Sequence, residues 1–123
     1  MKILITGGKG QLGRTLQKVL ANQDLIIADL PEADITDAAG FNTFMAAARP
    51  DAVIHCAAMT AVDACEDNVE LAYRLNAVGS LNVAAACQRH HARLIAISTD
   101  YVFDGMLQRP YHEFDTAGGA RTV

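Results

Sequence analysis

A chain of 123 residues is long enough for one domain with its own core, and 51% hydrophobic residues against 20% charged exclude a disordered segment. A net charge of -4 with no basic run argues against a nucleic-acid surface. No apolar stretch reaches membrane-spanning length, so no membrane partner is expected.

Four short β-rich runs stand out, at 2–6, 25–29, 52–56 and 93–98. Each is mostly apolar without strict alternation, the pattern of strands covered on both faces of a parallel sheet. Between the first two, residues 11–21 place Leu12, Leu16, Val19 and Leu20 on one helical face. Residues 38–48 form a second helix carrying Phe41, Phe44 and Met45, with Thr36 or Asp37 as N-cap and Pro50 ending it. The stretch 66–90 reads as helical for most of its length, with Leu71, Leu75, Val78, Leu81 and Val83 among its apolar positions. It ends on Arg89, His90, His91 and Arg93, cations that suit the negative end of a helix. The alternation of strand and helix predicts an α/β fold with a doubly wound parallel sheet, in the order 3-2-1-4. After Ser98 the pattern dissolves into a loop.

The most specific segment is TGGKGQLG, residues 6–13, at the first strand-to-helix turn. Gly7 permits the tight turn, Gly10 lets a pyrophosphate approach bare backbone, and Gly13 lets helix and strand pack closely. Free N–H groups at the start of the helix would then face phosphates. Asp29 closes the second strand 19 residues beyond Gly10, about where an acid meets the adenosine ribose. Strand, glycines, helix and acid together predict a Rossmann-like fold binding NAD(H) or NADP(H). A carboxylate at 29 leans the choice to NAD(H), with Lys9 and Arg14 as partial compensation.

Cys56, Cys65 and Cys87 are odd in number and form no CxxC pair, and the four histidines are scattered, so no metal site is expected. Reduced thiols fit a cytoplasmic protein. Ile3-Leu4-Ile5 is too short for a signal peptide before glycine interrupts it.

The motifs TGGxGQLG, HCAAMTAVDACED at 55–67, LNAVGSLNVA at 75–84 and STDYVFDG at 98–105 resemble the extended short-chain dehydrogenases/reductases, and within them the dTDP-4-dehydrorhamnose reductase group. The resemblance runs from Met1 to about Thr116 and implies a 4-keto nucleotide sugar as substrate. Gly10, Gln11 and Leu12 would lie along the pyrophosphate, Asp29 at the adenosine ribose, and Asp34 and Ile35 around the adenine. Ala58, Met59 and Thr60 would touch the nicotinamide side, and Asn76 would support the site from the long helix. Thr99 matches the hydroxyl of the catalytic set, and Asp100 and Tyr101 would contact the sugar nucleotide. Each has a plainer alternative: Thr60 as a helix cap, Asn76 and Asn82 facing water, His55 as a satisfied packing residue.

The proton donor of that group is a tyrosine with a lysine four residues on. No tyrosine here has such a lysine; the lysines are Lys2, Lys9 and Lys18. Residues 1–116 therefore read as the first half of a larger NAD(P)-binding domain and 117–123 as a divergent or truncated tail. A fragment, a frame change near residue 117 or a degenerate paralogue would explain it, and the chain alone is expected to be inactive. Two other readings stand: a non-catalytic NAD(P)-binding subunit resembling the regulatory subunit of methionine adenosyltransferase, and a nucleotide-sugar epimerase or dehydratase. Leu94 to Ile97 would form an exposed apolar sheet edge, through which self-association is expected.

Overall fold

In the computed structural model, which describes residues 1–118, the run KILIT becomes β1 (Lys2–Thr6) in the middle of a parallel sheet. Its neighbours are β2 (Asp24–Ala28) and β3 (Ala52–His55), with β4 (Arg93–Ala96) beyond β3. Residues 119–123, most of the tail expected at 117–123, lie outside the described residues.

The observed order β2-β1-β3-β4 corrects the expected 3-2-1-4. The third strand pairs with β1, Ile3 facing Ala52 and Thr6 facing His55, and does not add outside β2. The cause lies between β2 and the next helix, where the chain is tied into turns. Ala33 N–H donates to Asp29 O, and Asp34 Oδ1 accepts from both the N–H and the hydroxyl of Thr36. No strand forms there, and the chain crosses the opposite face before re-entering beside β1.

Helices cover both faces, so the sheet is doubly wound and Rossmann-like. On one face α1 (Gln11–Val19) and the residue after it bring Leu16 and Leu20 against Ile3, Ile5 and Ile54. On the other, α2 (Ala38–Ala48) brings Phe41 and Met45 against Leu4 and Val53, together with Val83 of a later helix. Asp37 is the N-cap of α2, its Oδ1 accepting from Ala39 N at 3.1 Å and Gly40 N at 3.0 Å. Arg49, left-handed at φ 45°, ends it before Pro50.

The stretch expected to be helical over 66–90 starts earlier and is broken twice. It comprises α3 (Val62–Asp67), α4 (Val69–Tyr73), a wide π-helical turn (Arg74–Gly79) and α5 (Ser80–Arg89). The first break is Asn68, whose backbone leaves the helical region while its side-chain amide bonds back to Ala64 O, the competition expected of a short polar side chain. The second is the wide turn, a feature that often marks functional segments. Asn82 does not face water: its amide donates to Ile35 O at 2.9 Å, and Gly79 lies directly against the Ile35 side chain. The helix thereby pins the loop after β2.

Beyond β4 the chain folds on itself. Thr99 caps a 3-10 turn (Asp100–Val102), Phe103 stacks on Tyr111 with centroids 4.2 Å apart, and Arg109 grips Asp115 at 2.8 Å. Among the described residues no helix is long and apolar enough to cross a membrane.

Candidate functional site

Because α1 leaves β1 on one face and α5 returns to β4 on the other, the loops after β1 and β3 part between adjacent strands. Open α/β sheets receive ligands in the crevice at such a switch point, outside the carboxyl ends of the strands. Gly7, at φ 65°, makes the turn, and a Cβ there would lie 2.7 Å from Ala57 N, so the two loops touch backbone to backbone. A Cβ at Gly13 would strike Gly7 O and come within 2.6 Å of Gly8 Cα, so only glycine lets α1 start this close to the corner.

Gly10 is the N-cap of α1, in extended conformation, with no side-chain cap and no acidic residue in the first turn. The N–H groups of the first turn have no intrahelical acceptor, and the helix end carries partial positive charge. The contrast with the Asp37-capped α2 is direct. This end opens into a cleft of about 630 Å³ between the two parting loops.

The strand order sets the order of residues along the rim. Asp29 follows β2, the glycine corner follows β1, Ala58, Met59 and Thr60 follow β3, and Thr99 to Tyr101 follow β4. At about 4.8 Å per strand the row spans about 14 Å. Gly7, Gly10, Gln11, Leu12 and Gly13 line one wall of the cleft. Ala58, Met59, Thr60 and Asn76 line the middle, and Thr99 and Tyr101 the far end. Asp29, Asp34, Ile35 and Asp100 are not on its walls.

Asp29 sits beside the corner with its carboxylate engaged: Oδ2 accepts from Lys9 N at 2.8 Å and Oδ1 from Leu30 N at 3.0 Å. The Lys9 ammonium folds over onto Leu30 O at 2.6 Å. Two backbone donors and a neighbouring cation offset the charge that was to repel a 2′-phosphate, so the expected lean to NAD(H) loses its physical basis. Asp34 is held below the usual carboxylate range by the Thr36 N–H first, then the Thr36 hydroxyl, with a smaller contribution from the Arg74 charge. Ile35 is buried beneath the long helix.

Thr60 caps nothing: the N-cap of α3 is Ala61, and no side chain caps that helix. Asn76 clamps the cleft wall, its Oδ1 accepting from Met59 N at 2.8 Å and its Nδ2 donating to Met59 O at 3.0 Å. Thr99 Oγ1 accepts from Tyr101 N at 3.2 Å and donates to Asp100 Oδ1 at 3.3 Å. Sequence reasoning passed over Ser80 and Cys65 on these walls and read His55 there only as a packing residue. His55 is satisfied, as expected, but at the cleft: Nδ1 lies 2.6 Å from Thr6 Oγ1 and Nε2 3.0 Å from Ser80 Oγ. Burial pushes its pKa below 6.5 and keeps the ring neutral, and burial likewise pushes the Cys56 thiol up. Among the described residues no group of three or more His, Cys, Asp or Glu side chains is placed to hold a metal ion.

Comparison with known proteins matches residues 1–120 to the family described as RmlD substrate binding domain. A dTDP-4-dehydrorhamnose reductase of Streptomyces griseus is 43% identical over 122 residues, 98% of this chain and 40% of that protein. The crystal structure of a dTDP-4-dehydrorhamnose reductase from Clostridium acetobutylicum is 49% identical with a TM-score of 0.91, over 97% of this chain and 43% of that one. Another from Bacillus anthracis, in complex with NADP, is 42% identical with a TM-score of 0.91, over 96% of this chain and 43% of that one. The chain thus spans about two fifths of the length of the relatives it matches.

Proposed function

The chain belongs to the RmlD substrate binding domain family, and from that premise we propose that it is the NAD(P)H-binding part of a reductase of 4-keto nucleotide sugars. The observation that carries this reading is the uncapped amino end of α1, opening beside bare glycine backbone into a cleft that ends at Thr99. Gly7 and Gly13, where a Cβ would collide with neighbouring backbone, let the corner close up, and the first-turn N–H groups, which lack helical acceptors, suit a diphosphate there.

On this reading Gly10, Gln11 and Leu12 hold the diphosphate and Asp29 the adenosine ribose. Asp34 and the backbone of Ile35, whose side chain is buried, bracket the adenine beyond the cleft proper, and Ala58, Met59 and Thr60 flank the nicotinamide ribose. Both NADH and NADPH fit the rim, and the Bacillus anthracis relative with NADP supports the phosphorylated form. Lys9, beside Asp29, supplies a cation for a 2′-phosphate.

When bound, the reduced nicotinamide supplies the hydride that a ketone carbon accepts. Thr99 offers its hydroxyl proton to the carbonyl oxygen, and Asp100 and Tyr101 hold the sugar nucleotide beside it. A positioned general acid contributes about 10²–10⁴-fold. The 123 residues contain no Tyr-x-x-x-Lys pair to act as one, so the chain binds and orients but turns over poorly by itself. Residues 1–116 form the cofactor-binding portion in this account. β4, with Ile95 48% exposed and Ile97 just beyond it 52% exposed, is a surface for self-association.

Calorimetric titration of the chain with NADPH and NADH tests the reading. Binding is expected for at least one, and Gly10→Leu should abolish it by filling the approach to the α1 terminus. Absence of both heat and thermal shift with either nucleotide overturns it.

A further inference from the structure

One polar row interrupts an otherwise apolar face of the sheet. Register pairs Thr6 with His55 and, two residues earlier, Leu4 with Val53, so all four side chains share the face covered by α2 and α5. Leu4 and Val53 are ordinary core. Thr6 and His55, 0% and 3% exposed, stand at the same depth but at the carboxyl rim, where His55 borders the cleft. An apolar pair would fill such a row at little cost, because replacing both partners of a buried hydrogen bond is nearly neutral.

The directions of the bonds follow from proton counts. Ser80 has one hydroxyl proton and gives it to Asn76 O at 2.7 Å. Its oxygen must then receive the proton of His55 Nε2 at 3.0 Å. That leaves Nδ1 bare to accept from the Thr6 hydroxyl at 2.6 Å, while Thr6 Oγ1 accepts from Ala57 N at 3.3 Å. The tautomer is assigned by its partners. At the other end of the chain Asn76 holds both backbone groups of Met59. The wide turn Arg74–Gly79 carries Asn76 and leads directly into Ser80, so the segment that departs from regular helix is the one that joins the row to the cleft wall.

We propose that His55 and Ser80 are positioning residues: the bonds Thr6–His55–Ser80–Asn76 fix the Met59 backbone, and with it the half of the cleft farther from Asp29. The inference rests on the dinucleotide reading above and adds to it a division of labour. The glycine corner holds the adenosine side whatever happens at His55, while the other half of the ligand depends on a directed series of bonds reaching back to β1.

Calorimetry with two probes separates the halves. NADPH spans the cleft, and 2′,5′-ADP occupies the adenosine side only. Ser80→Ala removes the acceptor of His55 from a half-buried helix position and leaves the sheet intact, and His55→Gln provides a second variant. Each should weaken NADPH about tenfold, the worth of one or two hydrogen bonds, and change 2′,5′-ADP by less than about twofold. Ser80→Thr should restore most of the NADPH affinity. Equal losses for both probes, or no loss for NADPH, overturn the proposal while leaving the dinucleotide reading standing. Failure of the unaltered chain to bind either probe removes the proposal, and failure to bind NADH as well removes the dinucleotide reading.

Discussion

His55 is neutral in the folded chain because its ring is sealed between β1 and α5, and its pKa lies below 6.5 for that reason. Unfolding releases it to bind a proton, so between the two pKa values the unfolded chain holds more protons than the folded one. Its contribution to stability is therefore present above about pH 6.5 and is lost as pH falls toward the folded value. The thermal midpoint should drop between pH 7 and pH 5, and His55→Gln should flatten that slope. Asp34, Asp104 and Asp115 act in a lower window, since their carboxyls are held below 3.8, Asp115 at about 2 by Arg109. That His55 would be satisfied was legible in the sequence; by what was not. Thr6 and Ser80 are 49 and 25 residues away, and only strand register, for Thr6, and the packing of α5 on the sheet, for Ser80, bring them to its two nitrogens. Asn82 escaped for the same reason, its partner Ile35 being 47 residues off.

At the scale of elements, α2 shows what local signals can carry. Asp37 precedes an apolar run and Pro50 follows it, and the helix begins and ends where those two residues dictate. Asp37→Ala should cost about 1 kcal/mol, read as a lower urea midpoint at unchanged slope. The strands were equally plain as apolar runs, although only β1 and β3 are buried along most of their length and the outer strands β2 and β4 stay largely exposed or half-exposed, against the expected cover on both faces. Their order was not, since it depends on the turns between Asp29 and Asp37, and Asp34 with Thr36 is a contact that no hydrophobic period reveals. The long helical stretch was read rightly as helical for most of its length, but its interruptions were not legible. Its apolar residues keep roughly helical spacing through the wide turn, and none precedes Asn68 within the stretch, so periodicity has nothing to say about either. The glycine corner was the most legible part of the site, and Asp29 was found at its margin. The middle of the cleft, where Met59, Asn76 and Ser80 meet, was read only through family likeness or missed.

For the molecule as a whole, the two sheet margins differ. β2 ends beside the corner, where Asp29 and Lys9 tie the loop, whereas β4 presents Ile95 and is followed by the half-exposed Ile97. Sedimentation at high micromolar concentration should detect association, and Ile95→Lys should abolish it, a charge on an edge strand being a common bar to pairing. A monomeric profile for the unaltered chain at that concentration would remove this expectation. At the far end of the rim, Thr99 has one proton and currently spends it on Asp100. A carbonyl arriving at that hydroxyl must take the proton away, and the carboxylate it leaves behind becomes free to seek a donor on the newcomer. Docking of one oxygen and release of another group's grip are then a single exchange, made within two adjacent residues.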